Sequence, residues 1–327
     1  MRNRVSVALA CSLSLIGSSA FAYAESSATI SAIQFQLIDL APQDGPASFQ
    51  YSGGKTTLSV STTDGGTGDA DSMSKTRSGT FAFSDQFVSQ LDHVSSTAAI
   101  ALDRLSVSGS ASGVGSTYST YSSGATTGNY SSYPYYNSTG NLTLSAHSML
   151  VITAEASVFA SATNPASTSC YYCSSTENAG AAASMTLNYA YSGGNTSASY
   201  SFSDAVGVNA TARGAYQSQE FAGYRQVPYT YGGYTYYYSE PIYNTVNHPL
   251  VEETKSASKY LTAVFMNTSD SAVSANLYFS VSTAGTANTS AAVLPGPIAA
   301  VPEADAAWLL FAGLGVVGGV AARRRKA

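Results

Sequence analysis

Apolar and polar residues alternate with a period of two along several stretches of the chain, and this pattern predicts β-strands with one buried face. The clearest case is residues 273–281, where Val, Ala, Leu, Phe and Val occupy every second position. The same alternation occurs in residues 81–83, 152–160, 187–191 and 261–265. Polar residues between 265 and 273 predict a hairpin turn. The predicted fold class is therefore all-β, an antiparallel β-sandwich-like domain.

Two tyrosine-rich segments lack the aliphatic residues that a core needs, residues 116–140 and residues 231–243. Their Tyr, Ser, Gly and Pro content is typical of long surface loops. Tyrosine is favoured in adaptable binding loops, although low-complexity decoration of an extracellular protein explains the composition equally well. One short helix is expected around residues 85–96.

Near the C-terminus, residues 306–322 contain no charged residue. A helix of this length covers about 26 Å, which is enough for a short transmembrane helix. Trp308 suits one membrane interface, and a cationic stop on the cytoplasmic side follows the helix. This stop consists of Arg323, Arg324, Arg325 and Lys326. Residues 313–318 also match a dinucleotide-binding pattern, but the preceding strand and following acidic residue are missing, so no nucleotide is expected.

The N-terminus has the features of a secretory signal peptide. A basic start is followed by an apolar run from Val5 to Ile16 and by a small-x-small site before Glu25, which predicts cleavage after Ala24. A lipoprotein acylated at Cys11 is disfavoured because its apolar stretch would be too short. The bulk of the chain is therefore expected to be exported.

The C-terminal sequence VPEADAAWLLFAGLGVVGGVAARRRKA resembles the PEP-CTERM sorting signal of Gram-negative bacteria. Val301, Pro302 and Glu303 match the motif, whereas Ala304 stands in place of its second proline. The resemblance implies an exosortase in the inner membrane as partner, a transpeptidase-like enzyme that removes the helix. The alternative is a permanent anchor, which would leave Pro302 and Glu303 unexplained.

The acidic composition argues against a nucleic-acid partner. The chain carries 14 Lys and Arg against 19 Asp and Glu, and only 10% of its residues are charged. Such an acidic protein repels nucleic acid, so no nucleic-acid partner is expected. Abundant Ser, Thr, Gly, Ala and Tyr are typical of exported proteins with an uncharged polar surface.

Candidate chemistry is sparse. Cys170 and Cys173 are the only cysteines after signal removal, and a disulfide is the favoured interpretation in an oxidising compartment. Asp64, Asp69 and Asp71 lie among glycines as weak calcium-ligand candidates. Their spacing fits neither an EF-hand nor the nonapeptide calcium turn, so a solvated acidic turn is favoured and no metal is expected.

No catalytic residue is predicted. The histidines His93, His147 and His248 are isolated from any recognisable nucleophile motif. A hydrolase of matrix polymers would need paired carboxylates, but Glu252 and Glu253 are adjacent and would point to opposite faces of a strand. The chain is therefore interpreted as a non-enzyme without a cofactor.

The predicted organisation follows the chain from end to end. It comprises a signal peptide (1–24), a β-rich exported domain (25–290) with an alternative division into two halves near 140–180, a linker with the sorting motif (291–305), the transmembrane helix (306–322) and a basic cytoplasmic tail (323–327). The first hypothesis is a structural protein of the cell surface or the exopolysaccharide-containing extracellular matrix, held transiently in the inner membrane with its bulk in the periplasm. The alternative is a polysaccharide-binding surface module, with ice binding a less favoured variant.

Overall fold

The computed structural model describes residues 22–51, 54–79, 84–101, 103–113, 118–128, 140–164, 176–193, 196–231 and 233–288, except for the side chains of residues 190–199. Every regular element in these ranges is a β-strand. The strands are β1 (Ala22–Asp39), β2 (Phe49–Tyr51), β3 (Lys55–Asp64), β4 (Asp69–Ser78), β5 (Asp85–Gln90), β6 (Val94–Ala101), β7 (Arg104–Gly113), β8 (Tyr118–Gly128), β9 (Leu142–Leu144), β10 (Ser148–Thr163), β11 (Thr176–Gly193), β12 (Thr196–Arg213), β13 (Tyr216–Tyr231), β14 (Tyr234–His248), β15 (Glu253–Asn267) and β16 (Val273–Asn288).

Two antiparallel sheets form the body of the domain. The first has the order β15–β10–β1–β7–β6–β5, and the second has the order β12–β11–β16–β8–β3–β4. Short strand β9 pairs with the beginning of β16 and with β2. Strands β13 and β14 form a separate two-stranded sheet. The prediction of an all-β, antiparallel, sandwich-like domain is confirmed.

The two sheets share one hydrophobic core. Alternate residues of β10 point into it, including the buried Leu150 and Ile152, and Leu277 and Phe279 of β16 meet them from the other sheet. The strands predicted at residues 152–160, 187–191 and 273–281 are thus present, while residues 81–83 lie outside the described residues. Strands from before residue 140 and after residue 180 pair with each other in the second sheet and belong to one compact unit.

Residues 116–140 were expected to be a surface loop, but residues 118–128 form β8 in the middle of the second sheet. The expectation was wrong because buried hydroxyl groups replace aliphatic side chains there. Ser123 Oγ lies 2.6 Å from Thr283 Oγ1, and Thr127 Oγ1 lies 3.0 Å from Thr56 Oγ1. These two hydroxyls have partners, so their burial is tolerated, whereas the buried Ser119 Oγ of the same strand has none among the described residues.

Tyr121 of β8 anchors a second, alanine-rich core cluster at one end of the sandwich. Its hydroxyl lies 2.7 Å from Ser26 Oγ. Its ring fits only because glycine occupies two facing positions: a Cβ at Gly109 would lie 2.0 Å from the ring, and a Cβ at Gly285 would lie 2.4 Å from it. Glycine and tyrosine are therefore matched across strands β7, β8 and β16.

Two further expectations were wrong. Residues 261–281 do not form a hairpin, because β15 belongs to the first sheet and β16 to the second, and the polar residues between them connect the sheets. Residues 85–96 form strands rather than a helix. In β5 the apolar Val88 is exposed while Ser89 is buried and hydrogen-bonded to Asp71, so hydrophobicity did not indicate the buried face.

None of the described residues forms a helix that could span a membrane. The predicted helix at residues 306–322 lies outside them, as do the signal peptide up to residue 21 and the linker. Strand β1 begins at Ala22, so it includes the three residues before the expected cleavage position.

Carboxylates cover the edges where β12 and β15 adjoin. Asp204 of β12 pairs with Lys259 of β15, and its Oδ2 accepts a hydrogen bond from the Thr262 amide at 3.1 Å. In return, Glu253 of β15 accepts hydrogen bonds from the Thr211 amide and hydroxyl at 2.9 and 3.0 Å. Edge amides that could pair with another chain are thereby occupied.

The pKa values of these carboxyls reflect the same contacts. Hydrogen bonds from Lys255 and Thr211 lower the pKa of Glu253 to about 2. Burial acts to raise the pKa of Asp204, but hydrogen bonds from Lys259 and the Thr262 amide outweigh it and leave the pKa below its usual value. At the opposite side of the sandwich, Lys75 and Arg77 of β4 approach Asp85 of β5 at 3.5 and 3.3 Å, while Lys75 also lies near the Phe87 ring.

Replacing Asp204 by Ala should lower the free energy of unfolding by about 1–3 kcal/mol, because the Thr262 amide loses its charged acceptor where β12 and β15 adjoin. The loss should be full near pH 7 and should disappear as the pH falls through the carboxyl's range, since the folded-state pKa is depressed. Urea unfolding at pH 7 measures the loss of stability, and urea unfolding at pH 3 tests whether the loss disappears. Glu155→Ala, an exposed carboxylate in mid-strand, is the control. Equal stabilities of the two variants at pH 7 would contradict the role of Asp204.

Candidate functional site: a tyrosine-rich ribbon

Strands β13 and β14 form a long ribbon whose side chains are mostly exposed on both sides. Antiparallel pairs run from Tyr216–His248 to Tyr231–Tyr234, with one bulge between them. Among the described strands, β13 and β14 pair only with each other. Residues 231–243, expected to be a loop, therefore form the turn region and most of β14. The expectation was wrong because a ribbon without a buried face lacks the apolar alternation that marks other strands.

Glycines set the geometry of the ribbon at two points. Gly233 has φ +85° in the connection between the strands, where tight hairpin turns need positive φ. Gly223 has φ +136° at a β-bulge that shifts the register between Phe221 and Gly223. The bulge moves Phe221 to the side of the ribbon that carries Tyr243.

One side of the ribbon near its turn carries five tyrosines, which we call the tip face. They are Tyr229, Tyr231, Tyr234, Tyr236 and Tyr238, and their side chains are 46–77% exposed. The Tyr229 ring stacks on Tyr236 with a centroid distance of 5.4 Å and lies 6.1 Å from the Tyr238 ring. The tip face is thus an aromatic surface open to solvent.

The other side carries a second aromatic set, which we call the opposite face. Its members are Phe221, Tyr224, Tyr237 and Tyr243, and they are 51–67% exposed. Phe221 contacts Tyr224 and Tyr243 edge to face, with centroid distances of 5.0 and 6.1 Å. Three rings of each face are in contact, and the strand alternation separates the two faces.

Charges on the ribbon are few, and Glu220 is an exposed carboxylate without an ion pair among the described residues. Arg225 donates from Nε to Glu240 Oε2 at 2.7 Å, and its Nη2 lies 2.7 Å from the same oxygen. This pair lies beside the tip face and neutralises itself. The described members of the opposite face are uncharged, so neither aromatic surface attracts or repels ions strongly.

Prolines limit pairing along the ribbon edges. Pro228 faces Tyr237, and Pro241 faces Tyr224. Counting from the Tyr231–Tyr234 pair next to the turn, both prolines fall at positions whose backbone points away from the partner strand. Each free edge therefore lacks one donor, which disfavours addition of another strand.

The root of the ribbon is fixed by stacked groups. The Tyr216 ring stacks on His248 at 4.2 Å, the Arg213 guanidinium lies 4.7 Å from the Tyr216 ring centre, and Ser218 Oγ is 2.9 Å from His248 Nε2. His248, predicted to lack a catalytic role, contributes to this stack. It holds the first pair of the ribbon next to the end of β12.

The calcium-ligand candidates do not converge. Asp64 is buried and accepts hydrogen bonds from the Gly66 amide, the His93 amide and His93 Nδ1 at 2.8, 3.0 and 2.9 Å. Burial acts to raise the pKa of Asp64, but these hydrogen bonds outweigh it and lower the pKa. Asp71 instead accepts from Ser89, and Asp69 is exposed. Within the described ranges no group of three or more His, Cys, Asp or Glu could hold a metal ion.

His147 connects three surface segments. Its Nδ1 lies 2.7 Å from Asp44 Oδ2, and its Nε2 lies 3.1 Å from Asp270 Oδ1. Other predicted site residues lie outside the described residues. These are Cys170, Cys173, Val301, Pro302, Glu303, Arg323, Arg324, Arg325 and Lys326.

Sequence reasoning missed a buried carboxyl at the alanine-rich end of the core. Glu177 is fully buried and pairs across the strands with Ala212. Asn164 Nδ2 donates to its Oε2 at 2.5 Å, while Oε1 has no hydrogen-bond partner. Burial raises the pKa of Glu177 to about 7. A single glutamate among alanines, with no alternation signal of its own, gave no indication of this environment.

No family model, no curated protein and no solved structure matches the chain.

Replacing Glu177 by Gln should flatten the pH dependence of stability. The folded-state pKa of about 7 exceeds the ordinary value of 4.5, so ionisation destabilises the native protein as the pH rises from about 4.5 to 7. The destabilisation above pH 7 is about 3 kcal/mol at most. Chemical unfolding at pH 5 and pH 8 should therefore show wild type losing stability relative to Glu177→Gln. Parallel profiles for the two proteins would refute the burial effect, and Glu155→Gln provides the exposed control.

Proposed function

We propose that the protein is an exported, non-enzymatic protein of the cell surface or extracellular matrix that binds polysaccharide through the β13–β14 ribbon. The observation that carries this proposal is the exposure of nine aromatic side chains on a ribbon that no other described strand covers. Large exposed aromatic surfaces commonly mark interaction sites. The proposal thus combines both hypotheses: a matrix protein binds the surrounding polysaccharide through its ribbon.

Tyrosine suits this ligand class chemically. Its ring presents a flat apolar face that can pack on the C–H face of a pyranose, and its hydroxyl can hydrogen-bond to sugar hydroxyls. Stacked neighbours such as Tyr229 and Tyr236 extend this surface beyond one ring. Tyrosine also loses little conformational entropy on binding.

The shape of the ribbon favours a polymer over a small ligand. A strand of 15 residues extends about 50 Å, which is much longer than one sugar. Small-molecule sites are concave and enclose most of the ligand. An open aromatic track can instead contact several consecutive units of a chain, and weak contacts repeated along it add up.

Charge favours a neutral polysaccharide. Arg225 and Glu240 neutralise each other, Glu220 adds one negative charge to the ribbon, and the whole chain has a net charge of −5. An acidic protein repels polyanions at moderate ionic strength. Neutral polymers avoid this repulsion and match the uncharged tyrosine surface.

Export and retention are proposed from the sequence. The secretory signal at residues 1–24 would direct the domain to the periplasm, and a transmembrane helix at residues 306–322 would hold it transiently in the inner membrane. An exosortase would then act at the motif containing Pro302 and Glu303 and release the domain to the cell surface. The support is the order of motif, apolar segment and basic cluster.

Excising the ribbon should abolish binding to neutral polysaccharide without unfolding the sandwich. Tyr216 and His248 are cross-strand partners, so an Asn-Gly turn can replace residues 217–247. Retention on cellulose and on dextran gels, with alginate as a polyanion, measures binding, and thermal unfolding checks the core.

The matched control is Tyr118→Ser with Tyr260→Ser, because both side chains are exposed tyrosines outside the ribbon. The control should bind like wild type. Retention of the excised variant on either neutral polymer would contradict the proposal, as would failure of wild type to bind both.

Processing of the tail should depend on the exosortase. In cells that have the enzyme, an epitope-tagged domain should appear shortened and at the surface, whereas without it the full-length protein should stay in the membrane fraction. Changing Arg323, Arg324 and Arg325 to Glu should also prevent sorting, because the cytoplasmic stop is lost. Immunoblots of fractionated cells report size and location. The same size and location in both strains would instead favour a permanent anchor.

A further inference from the structure

We infer that the ribbon binds polysaccharide on both faces at once, so that one protein molecule cross-links two polymer chains. This inference rests on the proposed polysaccharide binding and adds its valence. The tip face and the opposite face each contain several contacting aromatic rings. In an ordinary strand pair one of the two faces would be buried on a core, but here both are at least 46% exposed at every aromatic residue named above.

The bulge at residues 221–223 builds the second face. Without the register shift, Phe221 would fall on the side of the tip-face residues, since it is separated from Tyr229 by an even number of positions. With the shift, Phe221 faces Tyr243 and contacts Tyr224. Gly223 makes this possible through its positive φ, a conformation that other residues adopt only with strain.

The two faces cannot serve the same stretch of polymer. Side chains at successive positions point to opposite sides of the backbone, which lies between the two sets of rings. A polymer chain on the tip face near Tyr236 is therefore separated by the ribbon from one on Tyr237. Two chains can be held independently, and each has a mainly aromatic track.

A second copy of this protein is the less fitting occupant. Strand addition to the ribbon is disfavoured at both edges by Pro228 and Pro241. The exposed rings carry hydroxyls at eight of nine positions, a chemistry that stays compatible with water and with sugar hydroxyls. Both open faces are thus suited to polymer in a hydrated matrix.

Two triple variants test the valence. Tyr229→Ser, Tyr236→Ser and Tyr238→Ser disable the tip face, while Phe221→Ser, Tyr224→Ser and Tyr243→Ser disable the opposite face. Each variant should still bind immobilised dextran or cellulose through its remaining face, and the number of cello- or dextran-oligosaccharides bound at saturation should fall from two per monomer to one. Wild type should agglutinate beads coated with the same polymer, and neither variant should.

The outcomes separate this inference from the proposed function. One oligosaccharide per wild-type monomer, or full agglutination by either triple variant, would overturn two-faced binding and leave polysaccharide binding intact. A wild-type dimer in sedimentation without sugar would also overturn it, because dimerisation would explain agglutination. No binding by wild type would remove the proposed function itself. Single changes Tyr236→Ala and Tyr224→Ala give milder versions of the same test if a triple variant loses the ribbon's amide protection in hydrogen exchange.

Discussion

The carboxylates at the sheet edges are the interaction on which the rest of this architecture depends. A sandwich of two open sheets has exposed edge strands, and an unpaired edge is a template for aggregation. Asp204 and Glu253 each bind a backbone amide of the neighbouring sheet's edge, so β12 and β15 protect one another. Only 10% of the residues are charged, so the surface is largely uncharged. Carboxylates placed at the edges help the domain to stay folded and separate from other copies.

With its edges covered, the sandwich acts as a rigid base for the ribbon. The stack of Arg213, Tyr216 and His248 fixes the ribbon where it leaves the end of β12. On the ribbon, prolines rather than carboxylates disfavour the addition of another strand at the edges. Carboxylates and prolines both restrict backbone pairing at strand edges. The faces of the ribbon stay exposed, so its aromatic side chains are the groups available for interaction.

Whether a strand could be predicted from the sequence depended on which kind of side chain it buries in the core. Strands β10 and β16 alternate aliphatic and polar residues, and both were predictable because hydrophobic burial produces that pattern. Strand β8 was missed because its burial relies on hydrogen bonds such as Ser123–Thr283, between residues 160 positions apart. Composition marked the tyrosine-rich segments as surface loops, with binding and decoration both open. The two-sided arrangement depends on the bulge at Gly223, which no local sequence pattern indicated.

The tyrosines of the ribbon both stabilise it and form its surface. An isolated two-stranded ribbon is marginally stable in water, and cross-strand aromatic pairs such as Tyr229–Tyr236 contribute roughly 0.2–1 kcal/mol each. The same rings would be covered by a bound polymer, so binding would favour the paired conformation over its frayed alternatives. Under the proposed function, the ribbon would therefore be best ordered where polymer is present.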